Sequence, residues 1–165
     1  MDAIHLLRQD HEKVKNLFFD FEMAPAGQPE QRRRLAEQIV RELMVHERIE
    51  EEIFYPAFRD AMGARAQETV EHSKEEHELV DTLIEQLAAL DLNDPDFEGL
   101  MRILRENVEH HIQEEEEKML TKARELMGAD LLGLGADMLE YKQTLLRELE
   151  EQKGAAPAES REQRA

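Results

Sequence analysis

The chain has 165 residues, enough for one domain with a real core, and sets 39 Asp and Glu against 21 Lys and Arg, a formal net charge of −18. Such a surface repels nucleic acid and anionic lipid, and no segment approaches the ~20 apolar residues that span a membrane, so neither is an expected partner. There is no cysteine, which excludes disulfides and sulfur-ligated metals, and the opening MDAIHLLRQDHE lacks a basic-then-apolar leader, so a cytoplasmic location is expected.

Ile4 to Glu22 reads as a first helix, whose seam of Ile4, Leu7, His11, Val14, Phe18 and Phe21 is apolar except for His11. The breaker-rich run Ala24 to Pro29 ends it. A second helix is expected from about Glu30 to Ala61, kinked by Pro56, which lacks a backbone donor. Its seam is Leu35, Ile39, Leu43, His46, Glu50, Ile53 and Ala57. After a turn at Met62-Gly63-Ala64, a third helix from about Arg65 to Leu90 carries the stripe Val70, His77, Val80, Ile84 and Leu87.

Asp94 can cap a fourth helix and Pro95 fits its first position. That helix runs to about Met127, with Phe97, Met101, Leu104, Val108, His111, Glu115, Met119 and Leu126 on one side. Beyond Gly128, the spacing of Leu134, Met138, Tyr141, Leu145 and Leu149 marks a last helix. No strand-type alternation occurs. The expected fold is all-α: an up-down-up-down four-helix bundle over residues 1–128, a C-terminal helix packing on it over 129–152, and a disordered tail over 153–165.

The polar interruptions of the four seams are His11, His46 with Glu50, His77, and His111 with Glu115. Residues four apart on a helix lie about 40° apart around its axis, so each H-x-x-x-E pair shares one face, here the apolar one. An unpaired carboxylate in a core costs several kcal/mol. Four imidazoles and two carboxylates would serve two ions bridged by both carboxylates, and the donor set suits iron, manganese or zinc. Glu50 and His77 are equally placed about the Gly63 turn and should lie side by side.

Three further histidines fall off the seams. His5 reads as a surface or helix-end residue, and His110 lies about 100° from His111, within reach of Glu114. His72 precedes His77 by five residues, about 140° around the helix, and would be a fifth imidazole ligand only if the helix were locally distorted. In the runs Glu50-Glu51-Glu52 and Glu114 to Glu117, one acid of each is expected to face inward and the rest to be solvated.

The segments LLRQDHEKVKNLFFDFE, HERIEEEIFYPAF, EHELVDTLIEQL and HHIQEEEEKMLTKARELMG resemble the bacterial hemerythrin-like proteins, those with the HHE cation-binding domain. The resemblance covers about the first 128 residues and includes the EE-x-I-F-Y-P signature, and LGADMLEYKQTLL is similar to the tail of one bacterial subgroup. It implies that His11, His46, His77 and His111 ligate a non-haem di-iron centre. Glu50 and Glu115 would bridge the two iron ions together with an oxo or hydroxo group.

Where the family often has Phe-Pro after the second pair, this chain has Leu120-Thr121; that alignment favours His111 over His110 as the ligand. The oxygen carriers have two histidines four apart on the third helix, and here that place holds Ser73. Each iron would then have about five ligands and one open position, which suits oxidant or nitric-oxide chemistry. Adding His72 would leave a single open site suited to O2.

The expected function is accordingly a di-iron protein that binds or senses O2, peroxide or nitric oxide, with a diatomic or peroxide ligand as its small-molecule partner and a role in stress response. Two alternatives stand beside it. One is a di-iron enzyme consuming peroxide or nitric oxide, or donating iron for repair of damaged iron centres. The other is a metal-independent helical interaction module.

Overall fold

The computed structural model describes residues 1–155. Helix α1, Ala3–Met23, starts at Asp2, whose extended backbone lets its side chain accept from the His5 N–H at 2.8 Å, a cap contributing about 1 kcal/mol. Helix α2, Pro29–Ile49, opens with the proline whose missing donor costs nothing at a first turn. It runs through a π-helical turn, Glu50–Phe54, into α3, Tyr55–Met62. Gly63, with φ of 69°, makes the reversal that a residue with a side chain would resist, and leads through a short 3-10 turn into α4, Ala66–Ala88.

Helix α5, Phe97–Glu114, begins two residues later than the sequence suggests, although Asp94 does accept from the Asp96 N–H at 2.9 Å. It continues through a second π turn, Glu115–Met119, into α6, Leu120–Met127, and Gly128, with φ of 45°, turns the chain into α7, Asp130–Ala155. The last helix outruns its expected limit at residue 152 by three residues; residues 156–165 of the expected tail lie outside the described residues. The described residues form no strand, and none of their helices is long and apolar enough to cross a membrane. The all-α bundle with an added C-terminal helix is the fold observed.

Both π turns begin at a predicted carboxylate. The Tyr55 N–H reaches back five residues to the Glu50 carbonyl, and the Leu120 N–H does the same to that of Glu115. Pro56 sits just past the first turn, but the second has no proline; there the Thr121 hydroxyl donates to the Glu116 carbonyl at 3.2 Å. A wide turn inserts one extra residue, so each seam moves by one beyond it. Ile53 and Ala57, expected in the core, are only partly buried, and Phe54 and Phe58 take their places. Leu126 is likewise exposed while Met127 is buried.

The core divides into two apolar clusters. One holds Ile4, Leu7, Ile49, Phe54, Tyr55, Phe58, Val70 and Leu120, sealed by Leu131, Met138 and Leu145 of α7. The other holds Val14, Phe18, Ile39, Leu43, Val80, Leu104 and Val108. Along each bundle helix the step from one cluster to the other passes through a histidine: His11 between Leu7 and Val14, His46 between Leu43 and Ile49, His77 between Val70 and Val80, and His111 between Val108 and Met119. The clusters thus sandwich a buried polar layer.

Candidate metal centre

Each bundle helix projects its seam histidine into this layer, and each H-x-x-x-E carboxylate follows from the start of a π turn. His46 Nε2 lies 3.1 Å from Glu50 Oε1, and His77 Nε2 lies 3.1 Å from Glu50 Oε2, the side-by-side placement expected from the turn. His11 Nε2 lies 3.3 Å and His111 Nε2 3.8 Å from Glu115 Oε2. The donors fall into two groups able to hold an ion, His11 with His46, Glu50 and Glu115, and Glu50 with His77 and His111. Glu50, with no exposed surface, belongs to both.

All six residues are buried, yet His11 Nε2, His46 Nε2, Glu50 Oε1 and both Glu115 oxygens have no hydrogen-bond partner. Buried polar atoms are nearly always satisfied, and leaving one unmade costs about 1–3 kcal/mol, more when it is charged. Orphans converging on one layer from three of the four bundle helices, with nitrogen and oxygen donors only, fit a bound borderline cation.

Behind the histidines stands a second ring of acids that helical periodicity does not reveal. His11 Nδ1 meets Glu116 Oε1 at 2.8 Å, His77 Nδ1 meets Glu51 Oε1 at 2.8 Å, and His111 Nδ1 meets Glu76 Oε2 at 2.7 Å. His46 Nδ1 faces Asp10 Oδ2 at 3.6 Å, beyond hydrogen-bond length, and Asp10 is also held by Lys142 of α7. Each acid is the sequence neighbour of an inner residue on its own helix, and each reaches the histidine of another helix. The ring therefore closes around the bundle. Carboxylates in this position fix the histidine tautomer and aim Nε2 inward. Glu51 and Glu116, expected to be solvated, are half-buried for this reason.

Tyr55 completes one side. Its hydroxyl donates to Glu50 Oε2 at 3.1 Å, and its ring stacks on His77 with centroids 5.7 Å apart. On the other side a cavity of about 20 Å³ is lined by His11, His46, His77, His111, Asp10, Glu47 and the apolar Val14, Leu43, Val80, Val108 and Ile112. Space of this size admits about one water-sized molecule.

The charges within the layer are strongly interdependent. Burial works to raise the Glu50 carboxyl, but His46, His111 and His77 hold it well below the ordinary range. Glu115 is raised, by burial and by the like charge of Glu50. Burial disfavours charged imidazole, yet Glu50 and Glu51 lift His77 to about 9, and Glu50 and Glu76 lift His111 to about 10. His46 also stands well above its ordinary value, against burial, because of Glu50 and Asp10. Burial, with Asp81 nearby, pushes the Glu47 carboxyl up to about 8.

The structure thus brings together His11, His46, Glu50, His77, His111 and Glu115. It does not bring His72 to them: α4 is regularly α-helical at that point, Ser73 faces inward, and the His72 side chain is 57% exposed. His110 is outside the layer near Glu114, and His5 sits exposed near the start of α1. Asp10, Glu51, Glu76 and Glu116 are legible only as sequence neighbours of the inner set, Tyr55 only as a member of the EE-x-I-F-Y-P signature, and Glu47 gives no sign beyond its place in the second helix.

Residues 2–123 match the family model described as the hemerythrin HHE cation binding domain. A crystal structure of a hemerythrin HHE cation binding domain-containing protein from Mycobacterium kansasii superposes with a TM-score of 0.77 at 27% identity, covering 91% of this chain and 93% of that one. A curated protein named DNA nickase, from Nostoc sp., is 29% identical over 130 residues, 79% of this chain and 36% of its own length. An uncharacterized hemerythrin-like protein of Schizosaccharomyces pombe is 28% identical over 109 residues, 66% of this chain and 53% of its own. The chain therefore spans about a third and about half of these curated relatives.

Proposed function

The chain belongs to the hemerythrin HHE cation binding domain family, and on that premise we propose that its polar layer holds a non-haem iron pair that binds or senses O2, peroxide or nitric oxide. His11, His46, Glu50 and Glu115 would hold one ion, and Glu50, His77 and His111 the other. The observation that carries this reading is the set of orphaned buried atoms on Glu50, Glu115, His11 and His46. Iron held by imidazole and carboxylate with a position left open supplies the affinity for small oxygen- and nitrogen-containing ligands.

The protein's own part is positioning and exclusion. Glu51, Glu76 and Glu116 fix three of the imidazoles by hydrogen bonds, Asp10 faces the fourth, and Tyr55 orients Glu50. The small cavity beside His46 and His77 has room for about one water-sized molecule, so only the smallest ligands approach it. Val14, Leu43, Val80, Val108 and Ile112 close its apolar side against bulk water. The net charge of −18 leaves nucleic acid out of this reading.

The test is metal content of protein purified without chelators. About two irons per chain, both lost in Glu50→Gln and one lost in His46→Ala proteins that remain folded by circular dichroism, is the expected result. Zero or one after anaerobic iron loading overturns it. A second reading, a catalyst that consumes peroxide or nitric oxide, is favoured by Glu47, a carboxyl in the cavity wall placed to exchange a proton with a bound ligand. Turnover above that of free iron, lost in Glu47→Leu while iron content holds, would establish it; turnover no faster than that of free iron rules it out.

A further inference from the structure

The H-x-x-x-E spacing occurs twice more on the paired helices α4 and α5, outside the buried layer: His72 with Glu76, and His110 with Glu114. The fold brings these two pairs together at the surface. His72 Nε2 lies 3.1 Å from Glu114 Oε2 and 3.5 Å from Glu76 Oε1. His110 Nε2 lies 3.7 Å from the same Glu76 oxygen and 3.9 Å from the same Glu114 oxygen. Two imidazole nitrogens thus face two carboxylate oxygens, one of each from each helix.

These separations have a chemical meaning. Ligands held tetrahedrally at about 2.0–2.1 Å from a zinc ion stand roughly 3.3 Å from one another. His72, Glu76 and Glu114 already present three donor atoms within 4.8 Å of one another, and His110 stands beside both acids as a fourth donor that swings in by a side-chain rotation. The second oxygens of the two acids are already committed. Glu114 Oε1 takes Lys118 Nζ at 2.5 Å, and Glu76 Oε2 takes His111 Nδ1 at 2.7 Å. The remaining oxygens are left aimed at the two histidines.

We propose that His72, Glu76, His110 and Glu114 form a separate surface site for one divalent cation of borderline character, zinc or iron(II), joined to the buried centre through Glu76. Imidazole pairs discriminate against calcium and magnesium, which prefer all-oxygen sites. Glu76 presents one oxygen to the surface cation and the other to the Nδ1 of His111. A cation outside therefore withdraws charge from the carboxylate that orients a histidine inside. The cation site stands on its own geometry, whereas the coupling rests on the proposed iron pair.

Zinc ion titrated into the iron-loaded full chain, read by competition with a chromophoric chelator, tests the proposal. One zinc equivalent is expected beyond the buried centre, weakened at least tenfold in a His72→Ala/His110→Ala protein. Both side chains are more than half exposed, so that protein should fold and retain its iron. Zinc binding of equal affinity in the double variant overturns the site. The His46→Ala/Glu50→Gln chain should keep this same zinc equivalent, which separates failure here from failure of the iron reading. Zinc should also shift the iron absorption bands of the parent chain and not those of the double variant; bands unmoved at saturating zinc overturn the coupling.

Discussion

The two π turns use one backbone device in two different surroundings. In the first, Glu50 is met by His46, His77 and the Tyr55 hydroxyl, and its carboxyl is held far below the ordinary range. In the second, the residue in the place of Tyr55 is Leu120, both Glu115 oxygens lack a hydrogen-bond partner, and its carboxyl is raised. The backbone sets where a carboxylate stands; the neighbours decide how much charge it can hold without a metal. Glu50 is the electrostatic anchor of the layer, and Glu115 carries its uncompensated remainder.

The comparison is broken or sharpened most strongly by metal content. Glu50 belongs to both donor groups, so Glu50→Gln should remove both ions, whereas Glu115→Gln should leave the group of Glu50, His77 and His111 able to hold one. Equal losses, measured by elemental analysis, would erase the distinction.

Next in size is the pH dependence of the metal-free protein. His77 and His111 stand at about 9 and about 10 when folded, above the ordinary value of 6.5. Raised values mean that the folded state binds more protons, so the stabilisation is complete below pH 6.5 and is lost as pH climbs through 9 to 10. Urea unfolding should therefore show stability falling by on the order of a few kcal/mol over that window. Glu50→Gln should flatten the slope more than Glu115→Gln does, since Glu50 faces His46, His77 and His111 together.

Tyr55→Phe removes a hydrogen bond to a charged group and should cost about 1–2 kcal/mol in the metal-free protein. The loss should vanish in a Glu50→Gln background if the phenol acts through that carboxylate, which a double-mutant cycle reads directly. The smallest effects concern the turns themselves. Thr121→Val deletes the hydroxyl bond to the Glu116 carbonyl and should cost about 0.5–1 kcal/mol. Pro56→Ala should change stability by less than about 1 kcal/mol and leave the Tyr55 amide protected from exchange, because the second turn forms without a proline.

The four helices, the added fifth and the six inner residues were all legible because apolar seams reveal polar exceptions against them. What was not legible has a common physical origin. Periodicity counts a constant 3.6 residues per turn, and a π turn breaks that count without a sequence signal of its own, so the pattern points Ile53 and Leu126 inward where the structure buries Phe54 and Met127. The outer acids were hidden because their partners lie on other helices. Glu51 is one acid among several until His77 is known to stand beside it. His72 showed the reverse: its distance from the metal layer followed from helical angle, but its company of Glu76, His110 and Glu114 required the pairing of α4 with α5.

A side chain at Gly135 would meet the backbone of Met1, Asp2 and Ala3 at 2.6 Å, so α7 seats directly on the first turn of α1. This ties the two ends of the described chain to each other. The contact closes nearly the whole chain into one loop, the most costly closure in entropy that the fold contains, and the bundle supplies the surface on which it occurs. The four helices can gather first and the fifth can lock them afterwards, bringing Lys142 to Asp10 as it arrives. Docking of the last helix and the placing of Asp10 opposite His46 are thereby coupled.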